Sequence, residues 1–149
     1  MMTVGFIGLG NVGANLAASL ARNGFELTVR DLNRELAQPF LDGGAAWADS
    51  PAAMAEAVDV TITCLPSPAA CQEVMEGKNG VLESLEPGKV WVEMSTTDFL
   101  EVGRLGERVQ ARGSDAADCP VSGGCHRAAT GNIAILAGCN RSVFERLLP

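Results

Sequence analysis

VGFIGLGNVGANLAASLARNGFELTVRD, residues Val4–Asp31, is the stretch whose reading decides the fold. Val4, Phe6 and Ile7 form a short apolar run that predicts a buried strand. Gly8-Leu9-Gly10-Asn11-Val12-Gly13 follows, and apolar residues then recur at helical spacing through Leu16, Leu20 and Ala21. The helix is expected to start near Asn11 and to close at Gly24, where a C′ glycine belongs. Glu26–Arg30 reads as a second strand ending in Asp31. In a dinucleotide site each glycine of this pattern has its own task. Gly8 permits the tight turn, Gly10 admits a pyrophosphate to the backbone, and Gly13 lets helix and strand pack closely. The free N–H groups and positive dipole end of the helix would face the phosphates. Asp31 lies 18 positions beyond Gly13, the spacing at which a carboxylate meets a ribose hydroxyl. A bland alternative is a βαβ unit whose glycines serve packing only. Strand before, helix after and acid beyond favour dinucleotide binding.

Composition bounds the rest. At 149 residues the chain has the size of one domain, enough to bury about 68–70% of its unfolded surface. A net charge of −7 leaves no basic stripe for nucleic acid or an anionic membrane. No basic leader precedes the first strand, and no apolar run approaches the ~20 residues that span a bilayer. Five cysteines, Cys64, Cys71, Cys119, Cys125 and Cys139, form no C-x-x-C pair. Their spacing suits reduced, mostly buried thiols in a cytoplasmic protein. With one histidine, His126, zinc is not expected.

Beyond Asp31, Asn33 is placed to cap a helix over Arg34–Leu41, closed by Gly43-Gly44. Ala45–Trp47 reads as an edge strand. Ser50-Pro51 opens a helix over Pro51–Val58. Val60–Leu65 is a β-branched central strand stopped by Pro66-Ser67-Pro68. Helices are expected over Ala69–Met75 and Val81–Leu85, and a strand over Lys89–Met94. Ser95-Thr96-Thr97-Asp98 leads into the helix Phe99–Arg112. Ser114–Cys119 is predicted as the sixth strand, Pro120–Gly124 as a glycine-rich loop, and Asn132–Ala137 as a last strand. Asn140 would cap a final helix with Val143, Phe144, Leu147 and Leu148 on one side. The alternation gives a Rossmann-type, doubly wound, mainly parallel α/β sheet of order 3-2-1-4-5-6, plus the last strand. Ligands on such sheets sit beyond the carboxyl ends of the strands. Those ends are Gly8–Gly13, Arg30-Asp31, Leu65-Pro66-Ser67, Ser95-Thr96 and Pro120–Gly124, all small, polar or glycine-bearing.

GFIGLGNVG near the start, with DCPVSGG (Asp118–Gly124) and AATGNIAILAG (Ala128–Gly138) near the end, resembles the β-hydroxyacid dehydrogenases, such as 3-hydroxyisobutyrate dehydrogenase and 6-phosphogluconate dehydrogenase. The resemblance covers the whole chain. It implies that Gly8, Leu9, Gly10, Asn11, Val12 and Gly13 hold the pyrophosphate and that Arg30 and Asp31 meet the adenosine. Leu65, Pro66 and Thr96 would line the path toward the nicotinamide ribose. Ser122, Gly123 and Gly124 would bind the carboxylate of a small hydroxyacid or semialdehyde, with Ser122 orienting it for reaction. NAD is the implied cofactor, because Asp31 repels a 2′-phosphate and Leu32 stands where NADP-using relatives often carry arginine. Arg30 and Arg34 leave NADP as the second choice.

The sequence also departs from the family pattern. Cys119 replaces the usual alanine. His126 and Arg127 follow the double glycine where small residues are common; they read as exposed loop, or Arg127 reaches a second anionic group of the substrate. The family's general acid/base lysine stands on a helix beyond this region, and the lysines present are Lys78, in a turn, and Lys89, at the amino end of a strand. The resemblance therefore implies the cofactor domain, residues 1–149, of a longer, homo-oligomeric oxidoreductase whose helical carboxy-terminal domain is not in this sequence. Alone, such a domain would be inactive. Two other readings stay open: an NADPH-dependent semialdehyde or imine reductase, and a non-catalytic NAD(H)-binding sensor or interaction module.

Overall fold

A computed structural model describes residues 2–148. Six strands, β1 (Val4–Ile7), β2 (Leu27–Arg30), β3 (Ala46–Trp47), β4 (Val60–Thr63), β5 (Val90–Glu93) and β6 (Asp115–Asp118), form a parallel sheet in the order β3-β2-β1-β4-β5-β6. The predicted order is therefore present. The order reverses between β2 and β4, on either side of β1, and so opens a crevice above the carboxyl end of β1.

Strand periodicity assigns each residue to a face. Val4 and Phe6 of β1, Val60 and Ile62 of β4, and Val90 and Val92 of β5 point to one side. They pack there with α1 (Gly13–Arg22), α7 (Gly124–Thr130) and α8 (Arg141–Leu147). Ile7 and Trp91 point to the other side, against α3 (Pro51–Ala57), α4 (Pro68–Glu76), α5 (Val81–Ser84) and α6 (Phe99–Ala111). Thr61, Thr63 and Glu93 also face that side, all fully buried. Local capping follows the sequence: Ser50 Oγ accepts from Ala53 N, Ser67 Oγ from Ala70 N, and Asp98 Oδ1 from Leu100 N.

Four expectations need correction. The helix after Asn33 is a 3-10 turn over Arg34–Ala37 that passes into a short α2 (Gln38–Asp42), because Pro39 has no N–H to continue one regular helix. Helix α1 begins at Gly13 rather than near Asn11, which lies in the turn above it. His126 and Arg127 are exposed, but on α7 rather than in a loop. Finally, Asn132–Ala137 adds no strand to the main sheet. Only β8 (Ala134–Ile135) forms, and it pairs antiparallel with β7 (Val121–Ser122) in a separate two-stranded sheet. The α7 excursion returns the chain beside β7 in the opposite direction, so its backbone groups find partners there first. A single antiparallel bridge, Asp118 to Gly138, is the contact that this segment makes with β6. Ile135, Leu136, Phe144 and Leu148 consequently stay exposed.

Across α4 and α6, Glu76 accepts from Arg104 Nη2 at 2.6 Å and also pairs with Arg108. Their guanidinium groups hold its carboxyl well below the usual range, at about 2. The stability from this cluster is fully present above the ordinary carboxylate value and is lost as pH falls toward 2. Glu76→Gln should therefore flatten the acid limb of the stability curve between pH 4.5 and about 2, measured by urea denaturation across that window. An unchanged acid limb would show that the cluster contributes nothing.

Candidate functional site: the cleft above β1 and β4

The crevice at the reversal point is a cleft of about 730 Å³. Its lining includes Gly8, Gly10, Asn11, Val12 and Gly13 from the turn after β1, and Arg30 and Asp31 from the end of β2. Leu65 and Pro66 come from the end of β4, and Ser95 and Thr96 from the end of β5. Residues from four strand ends, distant in sequence, thus meet at one concavity.

The three glycines divide their work as the motif requires. A Cβ on Gly13 would collide with the carbonyl oxygen of Gly8, and one on Gly8, whose φ is +100°, with the carbonyl of Cys64. Both positions are closed by backbone packing. A Cβ on Gly10 would meet nothing within 4 Å. Gly10 is bare toward the cleft, which is the fit a pyrophosphate needs. Just behind it, no side chain caps α1 and no acidic residue stands in its first turn. The N–H groups and dipole there are left for an anion.

Asp31 takes a part that its spacing did not reveal. Its Oδ2 accepts from Leu9 N at 2.7 Å, and its Oδ1 accepts from Asn33 N at 2.8 Å. The carboxylate ties the glycine turn to the end of β2 while keeping lone pairs free toward the cleft. Leu9 itself is buried in the core and does not line the cleft, so its share in the site is this amide. Nearby, Arg34 and Arg30 lie over the Trp47 ring at 4.8 and 5.8 Å from its centroid. Arg30 also donates to the Ala48 carbonyl at 3.0 Å. These contacts hold both guanidinium groups against Trp47.

Ser122, Gly123 and Gly124 do not line this cleft; Val121 does, and the other three are exposed beside it. Gly123 and Gly124 have φ of +132° and +73°, so both need glycine for the backbone alone. Among the lining residues, Leu36, Glu73 and Val74 were not singled out from sequence, and Lys78 was read only as a turn residue. Leu32 and Leu36 are exposed apolar residues at the β2 end of the cleft, and exposure cannot be read from a short loop sequence. Lys89 is engaged elsewhere, donating to the Ala55 and Glu56 carbonyls at 2.6 Å each. Burial pushes the Cys64 and Cys119 thiols up to about 11, and Cys71 higher still, which makes these three poor nucleophiles. A second cavity of about 430 Å³ lies between the sheet, α7 and α8, but its walls are almost wholly apolar and converge no polar groups.

The family described as the NAD binding domain of 6-phosphogluconate dehydrogenase matches residues 3–149. The chain belongs to this family. Among its relatives, mouse mitochondrial 3-hydroxyisobutyrate dehydrogenase is 38% identical over 135 residues, covering 91% of this chain and 40% of that protein. The zebrafish cytokine-like nuclear factor N-PAC is 34% identical over 142 residues, covering 95% of this chain and 31% of that protein. The solved structure of Psf3 in complex with NADP+ and 2-OPP superposes with a TM-score of 0.93 at 29% identity, covering 97% of this chain and 51% of that one. The chain thus spans about half or less of the length of these relatives. As an NAD-binding domain of this family, it has a nicotinamide dinucleotide as its ligand class. No helix among the described residues is long and apolar enough to cross a membrane.

The glycine geometry yields a paired prediction. Gly10→Ala should leave the melting temperature within a few degrees of wild type yet weaken dinucleotide binding, since its Cβ enters open space in the cleft. Gly13→Ala should instead cost about 1–3 kcal/mol of stability through overpacking against Gly8. Thermal denaturation and cofactor titration of both variants separate the two effects. Equal destabilisation would mean that Gly10 is also a packing glycine.

Proposed function

We propose that this chain is the cofactor domain of a 3-hydroxyisobutyrate dehydrogenase-like oxidoreductase that uses NAD(H). The observation that carries the reading is the convergence of the bare Gly10 backbone, the uncapped α1 start and the Asp31 carboxylate on one cleft. A bound nicotinamide supplies the hydride acceptor or donor, and the protein supplies position and surroundings. Asp31 would accept from the adenosine ribose hydroxyls, Gly10 would admit the pyrophosphate to the backbone, and Leu65, Pro66 and Thr96 would stand along the nicotinamide ribose. Ser122, Gly123 and Gly124 would bind the substrate carboxylate, and a general base from elsewhere in such an enzyme would take the carbinol proton.

Support for NAD over NADP comes from Asp31, whose charge opposes a 2′-phosphate, and from the engagement of Arg30 and Arg34 with Trp47. A charge-assisted hydrogen bond contributes about 1.5–3 kcal/mol, so NADH should bind tenfold or more tighter than NADPH, every 1.4 kcal/mol being about tenfold. Asp31→Ala should weaken NADH and narrow that difference. Fluorescence titration with both cofactors decides it; tighter binding of NADPH overturns the assignment. The bound NADP+ in the Psf3 complex favours a second reading, an NADPH-dependent reductase, and the same titration distinguishes the two.

The chain alone should bind cofactor but turn over no β-hydroxyacid, because a cleft with no cover over its walls does not exclude water. Steady hydride transfer by the purified chain would refute this. In a longer form carrying the second domain, Ser122→Ala should lower kcat/KM by roughly 10- to 150-fold, the loss of one hydrogen bond to a charged group. Its cofactor affinity should stay within about twofold, because distant sites are usually independent. Unchanged kcat/KM would remove Ser122 from the substrate site.

A further inference from the structure

Glu93 is wholly inaccessible to solvent, and no lysine, arginine or histidine pairs with it among the described residues. A buried carboxyl without a cation is costly unless hydrogen bonds satisfy it. Here they come from three separate segments. Thr63 Oγ1, on the neighbouring strand β4, donates to Oε2 at 2.7 Å, and Cys71 Sγ, on α4, donates to the same oxygen at 3.0 Å. Ser95 N donates to Oε1 at 2.6 Å. Two further bonds extend the network. Trp91 Nε1 donates to Thr63 Oγ1 at 2.9 Å, and Leu65 N donates to Ser95 Oγ at 2.7 Å.

The position of these bonds matters more than their number. Glu93 is the last residue of β5, so Ser95 N lies past the end of the ladder and has no strand partner. The side chain of Glu93 provides the acceptor that the sheet no longer does. Ser95 then holds Leu65, which is past the end of β4. Leu65, Ser95 and Thr96 all line the cleft. One carboxylate therefore ties together the β4 loop, the β5 loop and the helix between them, behind the wall of the cleft opposite Asp31.

We propose that Glu93 is a positioning residue for the nicotinamide half of the cofactor: it sets the spacing of Leu65 and Thr96 through Ser95 without touching the ligand. This rests on the reading of the cleft as a nicotinamide dinucleotide site. Ser95 N can only donate, so this position needs an acceptor facing it. A glutamine would keep one in its Oε1 while its NH₂ donated to the Thr63 hydroxyl, whereas a leucine of similar size offers none and leaves Ser95 N unpaired. The adenosine half, held by the glycine turn and Asp31, has no bond to this network.

The test compares two ligands, NADH and ADP-ribose, which share the adenosine and pyrophosphate but differ in the nicotinamide. Amide NMR titration of the wild-type chain should show Gly8–Gly13 shifting with both ligands, and Leu65 and Thr96 shifting with NADH alone. In Glu93→Leu, which removes the acceptor for Ser95 N, ADP-ribose affinity should stay within about twofold of wild type. NADH affinity should fall about tenfold, with the Leu65 and Thr96 responses lost. Ser95→Ala, which removes the side-chain tether to Leu65, should give the same split and decides the matter where Glu93→Leu does not fold. A residue that merely stabilises the fold would weaken both ligands together or neither. Either of those results, or wild-type responses at Leu65 and Thr96 in the variants, overturns the proposal. If Gly8–Gly13 of the wild type respond to neither ligand, the nucleotide reading itself fails.

Discussion

The contact between Gly13 and the carbonyl of Gly8 is the constraint on which the rest of the molecule depends. There is no room at either position for a Cβ, so α1 lies directly on the turn that leaves β1. That closeness fixes where the first turn of α1 ends up, with its uncapped N–H groups over the reversal point of the sheet. It also seats Leu16 and Ala17 against Val4 and Phe6, which are among the least exposed residues in the chain. Packing and ligand geometry are thus the same contact. A side chain at Gly13 would displace the helix from the core and from the cleft at once.

Around this centre, two carboxylates organise the walls of the cleft in similar ways. Asp31 reaches back to Leu9 N and forward to Asn33 N, joining the glycine turn to the end of β2. Glu93 reaches Thr63, Cys71 and Ser95, joining the ends of β4 and β5. Both stand at strand ends, where the ladder leaves backbone donors without partners and a side chain must accept instead. They differ in surroundings. Asp31 lies at the cleft surface and keeps lone pairs for a ligand, whereas Glu93 is sealed under α4 and spends its acceptors on the protein. A parallel sheet covered on both faces is ordinarily apolar throughout. The polar network of Trp91, Thr63, Glu93 and Cys71 is therefore a local exception, placed directly behind the loops that line the cleft.

Much of this was legible in the residues. Val4–Asp31 carries the first βαβ unit in its periodicity and glycines, because a buried strand, a tight turn and an amphipathic helix each demand particular residue types at short range. The β-branched runs of β4 and β5, the Ser-Pro helix starts and the sheet order follow from equally local chemistry. The poor strand sequence Asp115–Asp118 was still recognisable from its place in the alternation. Leu65, Pro66 and Thr96 line one cleft because every strand of a parallel sheet delivers its carboxyl end to the same edge.

Other features depended on contacts between segments far apart in sequence. The run Asn132–Ala137 has strand composition, but its pairing depended on α7 turning the chain back along β7, a choice made by partners rather than by propensity. Leu9 matched the motif yet serves through its amide, because its side chain fills the core. Nothing in the sequence of Lys89–Met94 separates a solvent-facing Glu93 from a buried one. By itself the sequence determined the βαβ units, their order and the edge at which the strand-end loops converge, because these follow from local periodicity and the handedness of crossovers. Only the tertiary structure decided which carboxylates hold the walls of that edge together, because the donors they satisfy come from Leu9, Thr63, Cys71 and Ser95, residues that meet only once the sheet is assembled.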